Sequence, residues 1–160
     1  MRVVAEARAA ATVRGLWAAL DMGDFQAVRR CLDPVVEVDA GALWKTPPLR
    51  LNADDLVENW RGVIGGLDGV RHDLGPVRAA VGGDRAETTC SADIRYFLGE
   101  RMWRVSGAYH ISLARGAGWR IQRLCFEMGH EEGDRELLAA ARLRTARSGS
   151  ASGKIGHGRV

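Results

Sequence analysis

After Gly69 the apolar residues recur at every second position as far as residue 130, and three short glycine-bearing breaks interrupt the alternation. A period of two marks half-buried strands, and breaks of this length join antiparallel neighbours. The pattern predicts strands over 70–81, 84–98, 101–115 and 118–130, joined by "GG" at 82–83, "GE" at 99–100 and "RGAG" at 115–118. One face of such a meander is apolar and has to be covered by other elements of the chain.

The covering elements are expected upstream. Val13, Leu16, Trp17 and Leu20 follow a helical spacing, Gly23 ends that helix, and Asp24 caps a short second helix that stops at Pro34. "VVEVDAG" reads as a short strand, and "LWKTPPLRL" as a loop broken by its prolines. Asn52 caps a third helix whose buried stripe is Leu56, Trp60, Val63, Ile64 and Leu67, and "DRELLAAARL" forms a last short helix. Helices first and an antiparallel meander afterwards give an α+β class, a curved antiparallel sheet wrapped on N-terminal helices. The expected shape is a cone-like α+β barrel with a central pocket suited to a small molecule.

Composition narrows the function classes. The chain of 160 residues carries a formal charge of +3, but Arg142, Arg144, Arg147, Lys154 and Arg159 all lie beyond the last acid, Glu136. Without those five charges, residues 1–141 stand at −2. The division expected is a domain over 1–141 and a basic, flexible tail over 142–160. The tail lacks interleaved aromatic residues, so nucleic acid is not the expected partner. No apolar run reaches the ~20 residues needed to span a bilayer. Glu6, Arg8 and Arg14 interrupt any N-terminal signal core, which points to a cytoplasmic protein. Cys31, Cys90 and Cys125 are odd in number and far apart, so they read as reduced thiols. No phosphate loop, dinucleotide fingerprint or helical histidine pair is present, and neither a cofactor nor a metal is expected.

With "GG" as a two-residue turn, Val81 opposes Asp84, Arg78 opposes Glu87, and His72 opposes Asp93 on one face. An aspartate beside an imidazole fixes its tautomer and makes a general base or acid. The same spacing also describes a solvated cross-strand ion pair. Asp21 is either a pocket carboxylate or a solvated one near the end of the first helix. Tyr109, in phase with Trp103, Val105, Ile111 and Leu113, is a candidate hydrogen-bond donor or a core phenol. Asp39 reads as a pocket group or as the start of a turn, Arg123 as a group for an anionic substrate or a surface arginine, His110 as a surface residue, and His130 and His157 lie near or in flexible ends.

The succession "LWAALDMGDFQAVRRCL", "VVEVDAG", "VRHDLGPVRAAVGGDRAETTCSADIRYF" and "WRVSGAYHISLARGAGWRIQRL" resembles the SnoaL-like branch of the nuclear transport factor 2-like superfamily over roughly residues 8–132. Scytalone dehydratase, bile acid 7α-dehydratase and ketosteroid isomerase are similar in fold. The resemblance implies a cone-shaped, often dimeric domain, here expected as a homodimer. It places Asp21 on the family's helix aspartate, His72 on the hairpin histidine and Asp93 on its return-strand partner. Leu16 stands where a tyrosine is expected, and Tyr109 lies near the oxyanion-binding acid of the isomerases.

The expected function is a cofactor-independent lyase, isomerase or cyclase acting by proton transfer on a hydrophobic, oxygenated molecule of polyketide, terpenoid or steroid type. The alternative is a non-catalytic ligand-binding or scaffold protein. The catalytic set expected is His72, Asp93, Tyr109 and Asp21. Leu16, Trp17, Asp39, Trp60, Trp103 and Arg123 are expected to contact the substrate.

Overall fold

The first helix, α1 (Arg2–Met22), buries Ala5, Ala9, Val13, Leu16, Trp17 and Leu20 along one stripe. It ends as its sequence predicts. Gly23 takes φ 69°, a left-handed conformation open to glycine, and the N–H groups of Gly23 and Asp24 close on the Leu20 and Ala19 carbonyls. Asp24 then caps α2 (Phe25–Arg30) by accepting from the Ala27 N–H at 3.1 Å. The computed structural model describes residues 1–157, with side chains through Gly149.

The chain continues through β1 (Leu32–Asp39), α3 (Gly41–Trp44), β2 (Leu49–Asn52) and α4 (Ala53–Ile64), the last capped by Asn52. The stretch expected as a loop therefore holds a four-residue helical turn and a four-residue edge strand on either side of Pro47–Pro48. Both are too short to display a period. The meander follows as β3 (Gly69–Leu74), β4 (Arg78–Gly82), β5 (Arg85–Leu98), β6 (Arg101–Arg115) and β7 (Trp119–Gly133). The strands form one sheet in the order β2-β1-β7-β6-β5-β3, with β4 also on β5. The class is α+β, as expected. The sheet is mixed rather than wholly antiparallel, because β1 runs parallel to β7. It is curved but unclosed, with bulges at Ser106/Gly107 and Ser112/Leu113 bending β6 against β7.

The hairpin register differs from the expected one in two steps. The tight turn uses Gly83–Asp84, with Gly83 at φ 60°, so Val81 pairs with Ala86 and Arg78 with Thr89. Between β3 and β4, Gly75–Pro76–Val77 oppose only two residues of β5, a bulge at a proline that cannot donate to the ladder. His72 consequently pairs with Ile94, while Asp93 pairs with Asp73. Since neighbouring residues on a strand point to opposite faces, the one-residue offset puts His72 and Asp93 on opposite sides of the sheet.

The inner face carries Cys90, Ala92, Ile94, Trp103, Val105, Tyr109, Ile111 and Leu113, all buried in a core shared with residues of α1 and α4. The outer face is laced with polar pairs such as the Asp93–Arg104 ion pair and the His110–Glu127 hydrogen bond. The three cysteines are free, Cys90 buried and the others half-buried.

The last helix, α5 (Leu137–His157), is longer than expected and occupies much of the segment read as a flexible tail. Arg142 is bonded to Asn59 at 2.9 Å and Arg144 to Asp68 at 2.8 Å. The rest of that tail expectation, the side chains from Ser150 and residues 158–160, lies outside the described residues. No helix among the described residues is long and apolar enough to cross a membrane.

The α5 backbone approaches Gly66 so closely that a Cβ there would collide with the Ala141 carbonyl. Gly66→Ala is expected to lower the unfolding free energy by about 1–3 kcal/mol in urea denaturation. Gly116→Ala, with open space around the site, is expected to leave it unchanged.

Candidate functional site

The site begins with an unpaired strand edge. β3 pairs with β5 on one side only, and on its other side the last turn of α1 brings up Asp21. Asp21 Oδ2 accepts the backbone N–H of His72 at 2.8 Å, and Oδ1 meets His72 Nδ1 at 2.6 Å. One carboxylate thus satisfies an edge N–H and orients an imidazole. A carboxylate can only accept, so in the neutral ring Nδ1 carries the proton and Nε2 carries the lone pair. No protein group among the described residues bonds to Nε2.

The His72 side chain is 4% exposed, and it lines a cavity of about 490 Å³ between the inner sheet face, α1, α4 and α5. Aromatic rings make much of the wall. Trp17 stacks on His72 with centroids 4.7 Å apart and on Tyr109 at 4.4 Å. Tyr96 stands edge-on to His72 at 6.5 Å, and Trp44, Trp60 and Phe126 complete the aromatic lining. The indole N–H of Trp17 is buried without a partner.

Two phenols face this space. Burial pushes the Tyr96 hydroxyl well above the usual phenol range, and the nearby Asp21 carboxylate adds to it. Burial does the same for Tyr109, with Tyr96, Cys90 and Asp21 adding further. Both therefore remain neutral O–H donors at any physiological pH. No protein hydrogen bond engages either hydroxyl among the described residues. An imidazole with a free lone pair and two unspent phenolic donors, enclosed by apolar walls, can move a proton and stabilise negative charge on an oxygen.

Of the residues expected from sequence, the structure brings His72, Asp21, Tyr109, Trp17, Trp60 and Asp39 to the cavity or its immediate support. It does not bring Asp93, which lies on the outer face. There Arg104 grips both carboxylate oxygens, at 2.6 and 3.0 Å, and holds the carboxyl below its usual range. Asp21 takes the place assigned to Asp93 as the partner of His72. Leu16 is fully buried in the core and lies off the cavity lining. Trp103 is off the lining, beside Tyr96 on the same sheet face, stacked on it at 5.0 Å and donating to Glu131 at 2.9 Å. Arg123 is spent on Glu37 at 2.8 Å and Asp39 at 3.6 Å.

Sequence reasoning missed Tyr96, Asn59, Trp44 and Arg142 as lining residues. Tyr96 shares the alternation of Ala92 and Ile94, so its face was visible; the wrong register alone kept it apart from His72.

The chain has two tyrosines, both in this cavity, so tyrosinate absorbance reports on the site alone. The native protein is expected to show almost none at pH 10, where a free phenol is half ionised. The unfolded chain releases both protons near pH 10 while the native chain retains them, so stability falls as pH rises through that value. The expected slope is up to about 1.4 kcal/mol per pH unit for each phenol. Chemical denaturation of the wild type and the Tyr96→Phe/Tyr109→Phe variant between pH 9 and 11 checks this, the variant having the shallower slope.

Comparison with known proteins agrees with this architecture. The chain is similar in structure to the Kfla4162 protein from Kribbella flavida, with a TM-score of 0.77 and 20% identity over 84% of this chain and 95% of that one. A protein from Novosphingobium aromaticivorans named for scytalone dehydratase superposes with a TM-score of 0.67 at 15% identity, covering 78% of this chain and 83% of its own. The hexachlorocyclohexane dehydrochlorinase LinA-type3 from Novosphingobium barchaimii gives 0.59 at 15% identity, covering 78% and 89%. No curated protein matches the chain. A family profile described as a SnoaL-like domain matches residues 2–125. With that match spanning most of its length, the chain belongs to the SnoaL-like domain family.

Proposed function

We propose that the cavity is the active site of a lyase, isomerase or cyclase that works by proton transfer on a hydrophobic, oxygenated small molecule. The observation that carries this reading is the Asp21–His72 pair: Asp21 engages Nδ1, and His72 lines an apolar, aromatic cavity. Neighbours of the same fold named for dehydratase and dehydrochlorinase chemistry support it.

His72 Nε2 removes a proton from a carbon next to a carbonyl; the C–H electron pair becomes a C=C bond as the carbonyl π pair moves onto the oxygen. Tyr96 and Tyr109 donate hydrogen bonds to that oxygen as its charge grows. Asp21 stabilises the imidazolium through Nδ1–H. The imidazolium then returns its proton, either to a departing hydroxyl, which completes a dehydration, or to another carbon, which completes an isomerisation. A positioned base of this kind supplies about 10²–10⁴-fold in rate. The phenol expected on α1 is replaced by Leu16, and in this reading the two sheet phenols do its work.

Proton abstraction can be followed without the natural substrate. In D₂O, the exchange of α-protons in hydrophobic ketones such as 2-tetralone, read by proton NMR, is expected to be accelerated by the wild type. His72→Ala and Asp21→Asn are expected to reduce that acceleration by about 10²–10⁴-fold. Tyr96→Phe and Tyr109→Phe are expected to reduce it by up to about 10²–10³-fold. Wild-type exchange in a folded His72→Ala protein would remove the mechanism.

A further inference from the structure

The cavity has two ends of different character. At the inner end lie His72, Tyr96 and Tyr109, with Tyr109 only 7% exposed. At the outer end, α4 and α5 contribute Asn59 and Arg142, both on the exposed surface yet both part of the lining. Leu138, Ala139 and Arg142 occupy one face of α5, so the face that roofs the cavity ends in a guanidinium.

Arg142 differs from the other arginines around the site. Arg123 is paired with Glu37 and Asp39, Arg135 with Glu131, and Arg144 with Asp68. Asp39, the one carboxylate of the lining, is answered by Arg123 and by the Gly41 N–H at 3.1 Å. Arg142 has no carboxylate partner among the described residues. Its one bond is from Nη1 to the neutral Asn59 Oδ1, at 2.9 Å. A guanidinium has five donors, and this bond uses one. It also consumes the amide oxygen of Asn59, leaving that residue's NH₂ as two further donors. The pair therefore presents donors only, with a full positive charge that no carboxylate among the described residues pairs with. Such an edge is complementary to a carboxylate, which accepts at two oxygens and matches a guanidinium bidentately.

We propose that Arg142 and Asn59 form an anion subsite at the cavity mouth, holding the carboxylate of an otherwise apolar substrate whose reacting carbon lies at His72. The inference rests on His72 as the base and adds the substrate class, an apolar oxygenated acid. The apolar body of the ligand replaces water against Trp60, Ile64, Phe126 and Leu138, while its charge stays at the wet rim, where desolvation costs least.

The test uses a matched pair of probes, anthracene-2-carboxylate and anthracene-2-carboxamide, titrated at pH 7 and low salt with tryptophan fluorescence as the readout. Wild type is expected to bind the acid about tenfold more tightly than the amide. Arg142→Gln is expected to bring the ratio near one by weakening the acid alone. Asn59→Asp, which supplies Arg142 with a carboxylate partner, is expected to do the same with the guanidinium retained. Arg142→Lys is expected to keep part of the preference, and His72→Ala all of it. A wild-type ratio near one, a ratio unmoved by Arg142→Gln, or failure of both probes to bind would overturn the subsite. The proton-exchange and probe-binding readouts fail separately. Exchange that ignores His72 with the acid preference intact removes the reaction, and intact exchange with no preference removes the subsite.

Discussion

Both oxygens of Asp21 are committed to His72, one to its backbone N–H and one to its ring, and this contact ties the end of α1 to the exposed edge of β3. Hydrogen bonds to a charged group contribute about 1.5–3 kcal/mol each, and an edge strand needs some partner for its outward N–H groups. In the proposed reaction the same contact serves both the fold and the chemistry. It closes the gap between the helical layer and the sheet, and it leaves the imidazole with one nitrogen to offer. Trp17, four residues earlier on α1, stacks against that ring, so a single helical face fixes the imidazole in position and plane.

The remainder of the cavity follows from the same layered arrangement. The inner sheet face supplies Tyr96 and Tyr109, and burial keeps both phenols protonated. Groups off the lining brace it. Arg135 lies over the rings of Trp44 and Trp103, at 4.9 and 5.7 Å, and forms a fork with Glu131, while Trp103 stacks on Tyr96. Glu131 accepts from Trp103 as well, and its carboxyl is held below the usual range by Arg135 first and then by Trp103. The short α3 thereby becomes a fixed wall although it has only four residues. A cavity supported this way presents two neutral phenols and an imidazole to an apolar interior, with Arg142 at the mouth.

Much of this was legible in the sequence, wherever a local rule governed. Gly23, Asp24 and Asn52 marked helix ends because left-handed glycine and side-chain caps are local devices. The long strands β5, β6 and β7 announced themselves through a sustained period of two. The pairing of His72 was not legible, because it depends on which two residues of Gly82–Gly83–Asp84 turn and on a bulge at Pro76. Each is a choice of one residue, and a single residue reverses a side chain's face. That step exchanged Asp93 for Asp21, hid Tyr96 and made an outer-face ion pair look like chemistry. The parallel pairing of β1 with β7 and the docking of α5 join residues too distant in sequence for any periodicity to report.

Asp21 meets the His72 ring at Nδ1, which assigns the proton of the neutral ring to Nδ1 and the lone pair to Nε2. Nitrogen-15 NMR of imidazole-labelled protein reads this directly, since the two ring nitrogens have distinct shifts when protonated and when bare. In the neutral state, wild-type His72 should show a protonated Nδ1 and a bare Nε2, and Asp21→Asn should abolish that preference. A neutral ring protonated at Nε2 in the wild type, or a tautomer indifferent to Asp21→Asn, would contradict the account.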